Sequence, residues 1–389
     1  MTGCYAVIGA GRQGIAAAYD LAKFGKPNDL ILIDKNTEKL QGATDHLNSL
    51  LGSSLISSIA VDVSNSSQLT KALSEVTTLI SAVPYTLNSG ITDVALAQGI
   101  NMFDMGGNTH IVRQQLQRNK EAKDRGITVV PDCGMGPGMN ISLAIYAMSL
   151  LDTPTDVHIW DGGLPQQPAP PWNYLLSFNI GGLTNEYYGH AYFLRKGKVV
   201  EVPCFTGYEK IDFSPVGQLE AFVTSGGLST MPWTFQGILT TLENKTLRYP
   251  GHYASFKAFS DLGLLSPIPI TIGENQIIPR DLFHALLEPK IVQSVIHDIA
   301  LIRIHCRGFN RGKPAMATVE LMDYYDHHTG FMAMQRITGW HTSILAILAT
   351  QRKLPSGAIP VESIVPGKII VNEARKRGFM IHEEVTNSS

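Results

Sequence analysis

Only four cysteines occur in 389 residues, Cys4, Cys133, Cys204 and Cys306, and no two of them form a CxxC pair. The spacing excludes a zinc knuckle and a disulfide framework, predicts no bound metal, and makes a reducing, cytoplasmic setting the expected one. Charge is sparse and balanced. Charged residues make up 16% of the chain and the formal net charge is -2, so no basic surface marks it for nucleic acid or an anionic membrane. No apolar run reaches spanning length, residues 343–349 falling well short. The N-terminus lacks a basic region or a cleavage site, so no leader is expected. Internal repeats and low-complexity tracts are absent too. What remains is a folded chain, 44% hydrophobic, with length for two or three domains and ample core. Its low charge fits large buried interfaces and a homo-oligomer, and the absence of a basic surface leaves a small-molecule substrate, rather than nucleic acid or membrane, as the expected partner.

The most informative feature is the run Val7-Ile8-Gly9-Ala10-Gly11-Arg12-Gln13-Gly14, followed by Leu30-Ile31-Leu32-Ile33-Asp34. It reads as strand, glycine turn, helix, strand, acid, the order of a dinucleotide site. Gly9 permits the tight turn, Gly11 lets a pyrophosphate approach the backbone, and Gly14 lets the helix pack close to the sheet. The helix start, with Arg12 and Gln13, offers amide N–H groups and a positive dipole end to phosphate. Asp34 stands where a carboxylate bonds both ribose hydroxyls and repels a 2′-phosphate, which favours NAD over NADP; the neighbouring Lys35 softens that preference.

Strands and helices alternate through residues 1–132, which predicts a doubly wound parallel sheet, a Rossmann domain. Gly9, Asp34, Asp62, Ser81, Asp104 and Asp132 each fall where a strand stops, and the carboxyl edge of such a sheet is where ligands bind. Beyond Asp132 the texture changes. Residues 133–344 read as a mixed α+β domain for substrate binding and dimerisation, with strands expected near 157–160, 199–202, 268–272, 299–305 and 316–321. Residues 345–389 are expected to pack back on the first domain. His327 and His328 are read as neighbours on a strand, pointing to opposite sides, which disfavours a shared metal.

An ordered set of segments carries a resemblance along nearly the whole chain. It includes the glycine turn, Asp104-Met105-Gly106-Gly107, and Pro131-Asp132-Cys133-Gly134-Met135-Gly136-Pro137-Gly138. Gly162-Gly163-Leu164-Pro165, residues 221–230, Thr246-Leu247-Arg248-Tyr249-Pro250-Gly251-His252, Pro279-Arg280-Asp281 and Val365-Pro366-Gly367 continue it. The chain resembles the saccharopine dehydrogenase-like family, and within it most resembles the branch that oxidises the ε-amine of lysine. The resemblance implies an NAD(P)-dependent amine dehydrogenase: oxidative deamination to the semialdehyde, closure to a piperideine carboxylate, and release of ammonia. It also implies nicotinamide and ribose contacts from Ser81, Val83, Met135, Gly136 and Pro137, and adenine contacts from Asp62 and Val63. Arg248 is implied as the substrate-carboxylate partner, against a purely structural pairing with an acid such as Glu243. Gly106, Thr246, Thr224, Tyr174 and His252 are implied around the substrate, with Lys245 a lesser acid–base candidate. Asp104 and Asp132 are the candidate acid–base pair, and which of them is the base stays open. Saccharopine-handling relatives tend to carry an Arg in the stretch that matches Thr224-Ser225-Gly226-Gly227; its absence here points to a smaller substrate. The competing readings are a saccharopine- or carboxynorspermidine-type imine reductase using NAD(P)H, and a non-catalytic NAD sensor.

Overall fold

In the computed structural model, which describes residues 3–387, the chain runs β1 (Cys4–Ile8), α1 (Arg12–Phe24), β2 (Asp29–Asp34), α2 (Thr37–Leu51), β3 (Ile56–Ala60), α3 (Ser66–Ala72), β4 (Thr78–Ser81), α4 (Asn88–Gln98), β5 (Asn101–Asp104), α5 (Thr109–Leu116), α6 (Asn119–Asp124), β6 (Thr128–Val130) and α7 (Met139–Met148). It continues through β7 (Thr153–Pro165), α8 (Ile180–Glu186), β8 (His190–Arg195), β9 (Lys198–Pro203), β10 (Glu209–Phe213), β11 (Gly217–Phe222), α9 (Met231–Thr234) and β12 (Thr241–Arg248). Then come α10 (His252–Asp261), β13 (Ile270–Ile272), β14 (Asn275–Ile277), α11 (Pro279–Ile291), β15 (Asp298–Asn310), β16 (Lys313–Tyr324), α12 (Ala333–Thr350), β17 (Gly357–Ala358), α13 (Val361–Ile364), α14 (Gly367–Lys376) and β18 (Met380–Asn387).

These elements divide into two units: Met1–Tyr146 with Ser229–Thr234 and Gln335–Gly378, and Ala147–Leu228 with Phe235–Met334 and Phe379–Ser389. The first holds a sheet in the order β17-β6-β5-β4-β1-β2-β3, with every pairing parallel. This is the doubly wound arrangement, α/β, that the strand–helix alternation predicts. Apolar strands such as Leu30 to Ile33 are buried because helices cover both faces of such a sheet. Asparagine starts three of its helices: Asn36, Asn65 and Asn108 accept first-turn N–H groups of α2, α3 and α5. Helix α1 differs, since Gly11 is its N-cap and no side chain caps it.

Around α1 the first unit is closed by residues far away in sequence. Gly339 of α12 lies so close that a Cβ there would meet Gln13 O at 2.9 Å and Ala17 N at 2.8 Å. Gln335 Nε2 donates to Arg12 O (2.9 Å) and Trp340 Nε1 to Ala16 O (3.1 Å). Asp20, fully buried on α1, accepts from Arg377 Nε at 2.8 Å and from the Ser343 hydroxyl.

The sequence reading divides the chain at 132/133, whereas residues 133–146 lie in the first unit. His341 explains part of this, with Nδ1 on Cys133 O (2.8 Å) and Nε2 on Ser142 Oγ (2.9 Å). Gly367 adds to it, because a Cβ there would stand 2.4 Å from Tyr146 N. The expected return of residues 345–389 differs at its end, for β18 pairs antiparallel with β16 in the second unit.

The second unit is α+β. Its sheet runs β10-β11-β12-β7-β15-β16-β18, with β8 and β9 attached, and mixes one parallel pairing, β12 with β7, among antiparallel ones. Phe222, Tyr187, Phe205, Phe256 and Phe283 form an aromatic core on one face, while Trp160, Leu219, Leu247 and Leu301 cluster on the other. His327 and His328 lie in a turn after β16 rather than on a strand; His328 N–H donates to Asp326 there. Among the described residues no helix is long and apolar enough to cross a membrane.

Candidate active site

Register brings the strand-end residues of the first unit to one edge. Ile8 pairs with both Ile33 and Ser81, and Ser81 pairs with Asp104. The turn after β1 therefore opens where the strand order reverses, between β1 and β4, the position for a dinucleotide in such folds. Its three glycines have three different surroundings. At Gly9 (φ +106°) a Cβ would strike Ala82 O at 2.5 Å; at Gly14 it would strike Gly9 O at 1.9 Å. At Gly11 it would meet only the Lys39 ammonium, 3.8 Å away. The first and third hold the turn closed, and the second leaves space over an uncapped helix start beside a cation, which fits a pyrophosphate. Asp34 follows: Oδ2 accepts from Ala10 N–H (2.8 Å) and Oδ1 from Asn36 N–H (3.0 Å), which leaves a lone pair on each oxygen.

Other residues expected to hold the cofactor are placed less uniformly. Val61 N–H donates to Asp34 O, so Asp62 and Val63 follow β3 at the same edge. Asp62 is exposed, and the Ser64 hydroxyl and N–H on its Oδ1 hold its carboxyl below the ordinary value. Ser81 is buried and its hydroxyl is taken by Asn88 Oδ1 at 2.7 Å. Val83 packs on the core of the unit, Met135 is buried, and Gly136 is exposed.

Asp104 and Asp132 are brought together, with unequal surroundings. Asp104 Oδ1 accepts from Gly106 N–H (2.8 Å) and Asp132 N–H (3.2 Å), and Oδ2 from Gln115 Nε2 (2.7 Å). Burial still raises its carboxyl above the ordinary value. Asp132 is 2% exposed, its φ is +59°, and its Oδ1 has no hydrogen-bond partner. A Cβ at Gly106 would lie 1.8 Å from that same oxygen, so glycine is required there. Burial first, then the charge of Asp104, lift the Asp132 carboxyl to about 7, against a hydrogen bond from Ser229. An enclosed, unpartnered carboxylate oxygen on strained backbone costs stability. The Cys133 thiol is buried, donates to Val130 O at 3.2 Å, and is pushed well up by burial, which disfavours the thiolate.

In the second unit, β-strand alternation puts Asn244, Thr246 and Arg248 on one face of β12 and Lys245 on the other. Thr246 pairs with Asp161 and Phe222, and Arg248 with Glu220. Lys245 instead bonds Glu209 at 2.9 Å, away from Arg248. Arg248 is 3% exposed. Its Nε donates to the Tyr187 hydroxyl (2.8 Å) and Nη1 to Leu247 O (2.8 Å), while Nη2 stands 3.7 Å from Glu186 Oε2. Glu243 is not its partner; that carboxylate pairs with His158 and Arg195. Burial opposes the guanidinium charge, but Tyr187, Tyr174 and Glu186 outweigh it and keep the group protonated.

His252 is fully buried, with Nε2 on the Tyr187 hydroxyl (2.8 Å) and Nδ1 on Trp172 O (3.3 Å). The carbonyl requires an N–H at Nδ1, so Nε2 accepts from Tyr187. Burial and then Arg248 hold its pKa far down, and the neutral ring acts on Arg248 through Tyr187. Tyr174 lies beneath the guanidinium, 5.2 Å from ring centre to Cζ, with a hydroxyl that has no partner. Thr224 is buried; Ser225 donates through N–H to Glu186 O and through Oγ to Asn185 O, each at 2.8 Å. Gly226 has φ +87°, which favours glycine, and a Cβ at Gly227 would sit 2.0 Å from Asn244 Oδ1, so packing bars an arginine at Gly227. Sequence reasoning missed Glu186 and Tyr187. Nothing in their local spacing marks them, because their role arises from the end of α8 meeting β12.

Residues 5–130 match the saccharopine dehydrogenase NADP binding domain and residues 134–378 the saccharopine dehydrogenase C-terminal domain. The chain is 28% identical over 203 residues to the mitochondrial alpha-aminoadipic semialdehyde synthase of Bos taurus, covering 48% of this chain and 21% of that protein. It is 26% identical over 225 residues to a saccharopine dehydrogenase (NADP(+), L-glutamate-forming) of Pyricularia oryzae, covering 54% and 48%. It thus matches about a fifth of the length of the first and about half of the second. The apo saccharopine dehydrogenase (L-Glu forming) of Saccharomyces cerevisiae shares the fold, with a TM-score of 0.78 at 18% identity over 99% of this chain and 100% of that one. The chain belongs to the saccharopine dehydrogenase family, an oxidoreductase family whose N-terminal domain takes a nicotinamide dinucleotide.

Proposed function

We propose that this protein is an NAD-dependent lysine 6-dehydrogenase: hydride leaves the ε-carbon of L-lysine for NAD, water adds to the resulting iminium and expels ammonia, and the aldehyde so formed closes on the α-amine, losing water, to a piperideine carboxylate. The observation that carries the reading is Asp132, whose enclosed Oδ1 lacks a partner and whose carboxyl is poised at about 7. Such a group accepts a proton near neutral pH. The substrate ammonium must lose a proton before its carbon can be oxidised, and Asp132 takes it. Asp104, already satisfied by three donors, anchors the loop that presents Asp132. Arg248, held rigid by Tyr187 and Leu247 O, pairs with the substrate carboxylate.

The nicotinamide, when bound, accepts the hydride. Gly9, Gly11 and Gly14 shape its pyrophosphate seat, and Asp34 faces the ribose with one lone pair per oxygen. A carboxylate there opposes a 2′-phosphate, which supports NAD. The packing of Gly227 on Asn244 supports the smaller substrate, since it leaves no room at that position for the side chain of a second carboxylate clamp.

A second reading, an imine reductase of the saccharopine type using NADPH, draws on the NADP binding description of the matched domain. Turnover separates the two. With NAD and L-lysine, reduced cofactor and ammonia should appear together, and NADP should serve less well. Inertness toward lysine with turnover of saccharopine would transfer the assignment to the second reading. Dinucleotide binding without oxidation of any amine would leave a sensor.

A further inference from the structure

Among the described residues, Glu186 is the carboxylate that stands against Arg248, used by neither the acid–base pair nor the cofactor seat, and the contact between them is loose. Nη2 and Oε2 are 3.7 Å apart, beyond hydrogen-bond length, although Arg248 is almost completely enclosed. Nε and one Nη1 donor are occupied, which leaves three of the five guanidinium N–H donors without a hydrogen bond. The Tyr174 hydroxyl beside them is enclosed and also without a partner. About a third of the Glu186 side chain remains exposed, so this polar cluster has an opening on the Glu186 side. Unmade hydrogen bonds in a buried cluster cost free energy, and a ligand that supplies them recovers it.

We infer that Glu186, Arg248 and Tyr174 form a clamp for a free α-amino-acid head group, in which Arg248 and the Tyr174 hydroxyl take the carboxylate and Glu186 takes the α-ammonium. The ligand is a zwitterion whose two charges are inverted with respect to the clamp. It docks alongside the loose Arg248–Glu186 pair, its carboxylate toward the cation and its ammonium toward the anion, so neither protein charge is left unpaired. The groups facing Glu186 agree. Burial and Asp161 raise its carboxyl to about 7 while Arg248 pulls it down, and Tyr174 and Tyr187 stay protonated beside it. An arriving ammonium favours the carboxylate form and releases a proton. The backbone supports the position: Glu186 ends α8, and its carbonyl is fixed by Ser225 N–H at 2.8 Å.

This inference rests on the carboxylate role proposed for Arg248, and it makes Glu186 the residue that demands an unsubstituted α-amine. The test uses the full chain and two probes that differ in one group: L-norleucine, which keeps the whole head group but has no ε-amine, and 6-aminohexanoate, which has no α-amine. Binding is read by calorimetry in the presence of NAD. The wild-type protein should bind norleucine, and E186Q should weaken norleucine and lysine by about tenfold or more while leaving 6-aminohexanoate where it was. If E186Q does not fold, E186D, which keeps the charge but withdraws it by one methylene, should give the same ligand-selective loss. Equal losses for both probes, no loss for either, or a wild-type protein that ignores norleucine would overturn the clamp. Norleucine binding that responds to E186Q in a protein unable to oxidise lysine would keep the clamp and end the ε-amine reading.

Discussion

Asp132 and the glycines of the first turn carry the account at the scale of single residues. The Asp132 carboxyl sits near 7 against an ordinary 3.8 because burial and Asp104 disfavour its charge. A raised native pKa contributes stability that is complete below the unfolded value and is lost as pH rises through the native one. The apo protein should therefore lose stability between about pH 4 and 7 through this residue, and D132N should remove that loss while cutting turnover by about 10²- to 10⁴-fold. In the wild type, kcat/KM should rise through pH 7 as the base loses its proton. Thermal melts across pH and pH–rate profiles check both, and a D132N enzyme with near-normal turnover would remove Asp132 from the chemistry. The glycines separate two roles. G11A places its methyl in open space at an ordinary φ of -84°, so it should melt like the wild type yet bind NAD at least tenfold more weakly. G14A drives a Cβ to 1.9 Å from Gly9 O and should destabilise the fold itself, by about 1–3 kcal/mol or more. Calorimetric melts and NAD titrations distinguish them; equal stability for the two variants would contradict the packing described.

Among elements, α1 is the one whose position matters most, since its uncapped start faces the pyrophosphate seat. It is fixed from outside by α12 and by the end of α14: Asp20 is fully buried, and Arg377 and Ser343 meet it there. Removing one partner of a buried pair leaves an uncompensated charge, so R377A should cost about 3–5 kcal/mol in denaturant unfolding. The D20N/R377M double variant should recover much of it, and a double variant no more stable than R377A would show that the pair is not what holds α1. The sequence announces α1 through its glycines, because that signal is local. It does not announce α12. The run of residues 343–349 is too short for a membrane span, but it reads as apolar without saying what covers it, and the answer is α1, more than 300 residues away in sequence.

For the whole molecule, the strand–helix alternation and the acids at strand ends made the parallel sheet and its carboxyl edge legible, since each depends on a period or a turn that neighbours determine. The mixed sheet of the second unit was legible only in pieces. Its faces depend on register, such as Thr246 against Asp161 and Arg248 against Glu220, which no short segment encodes. Glu186 was invisible for that reason, and His327 and His328 were misplaced because a turn stabilised by Asp326 replaced the expected strand. The return of residues 335–378 to the first unit likewise follows from long-range contacts such as His341 on Cys133 O.

Where the substrate nitrogen goes tests the central claim most directly. L-lysine labelled isotopically at its ε-nitrogen is mixed with the protein and NAD, and ammonia and reduced cofactor are followed together. The account predicts that labelled ammonia appears in step with reduced cofactor, one for one, and that D132N stops both. Label retained in the organic product, or reduction of cofactor only when a saccharopine-type secondary amine replaces lysine, would contradict it.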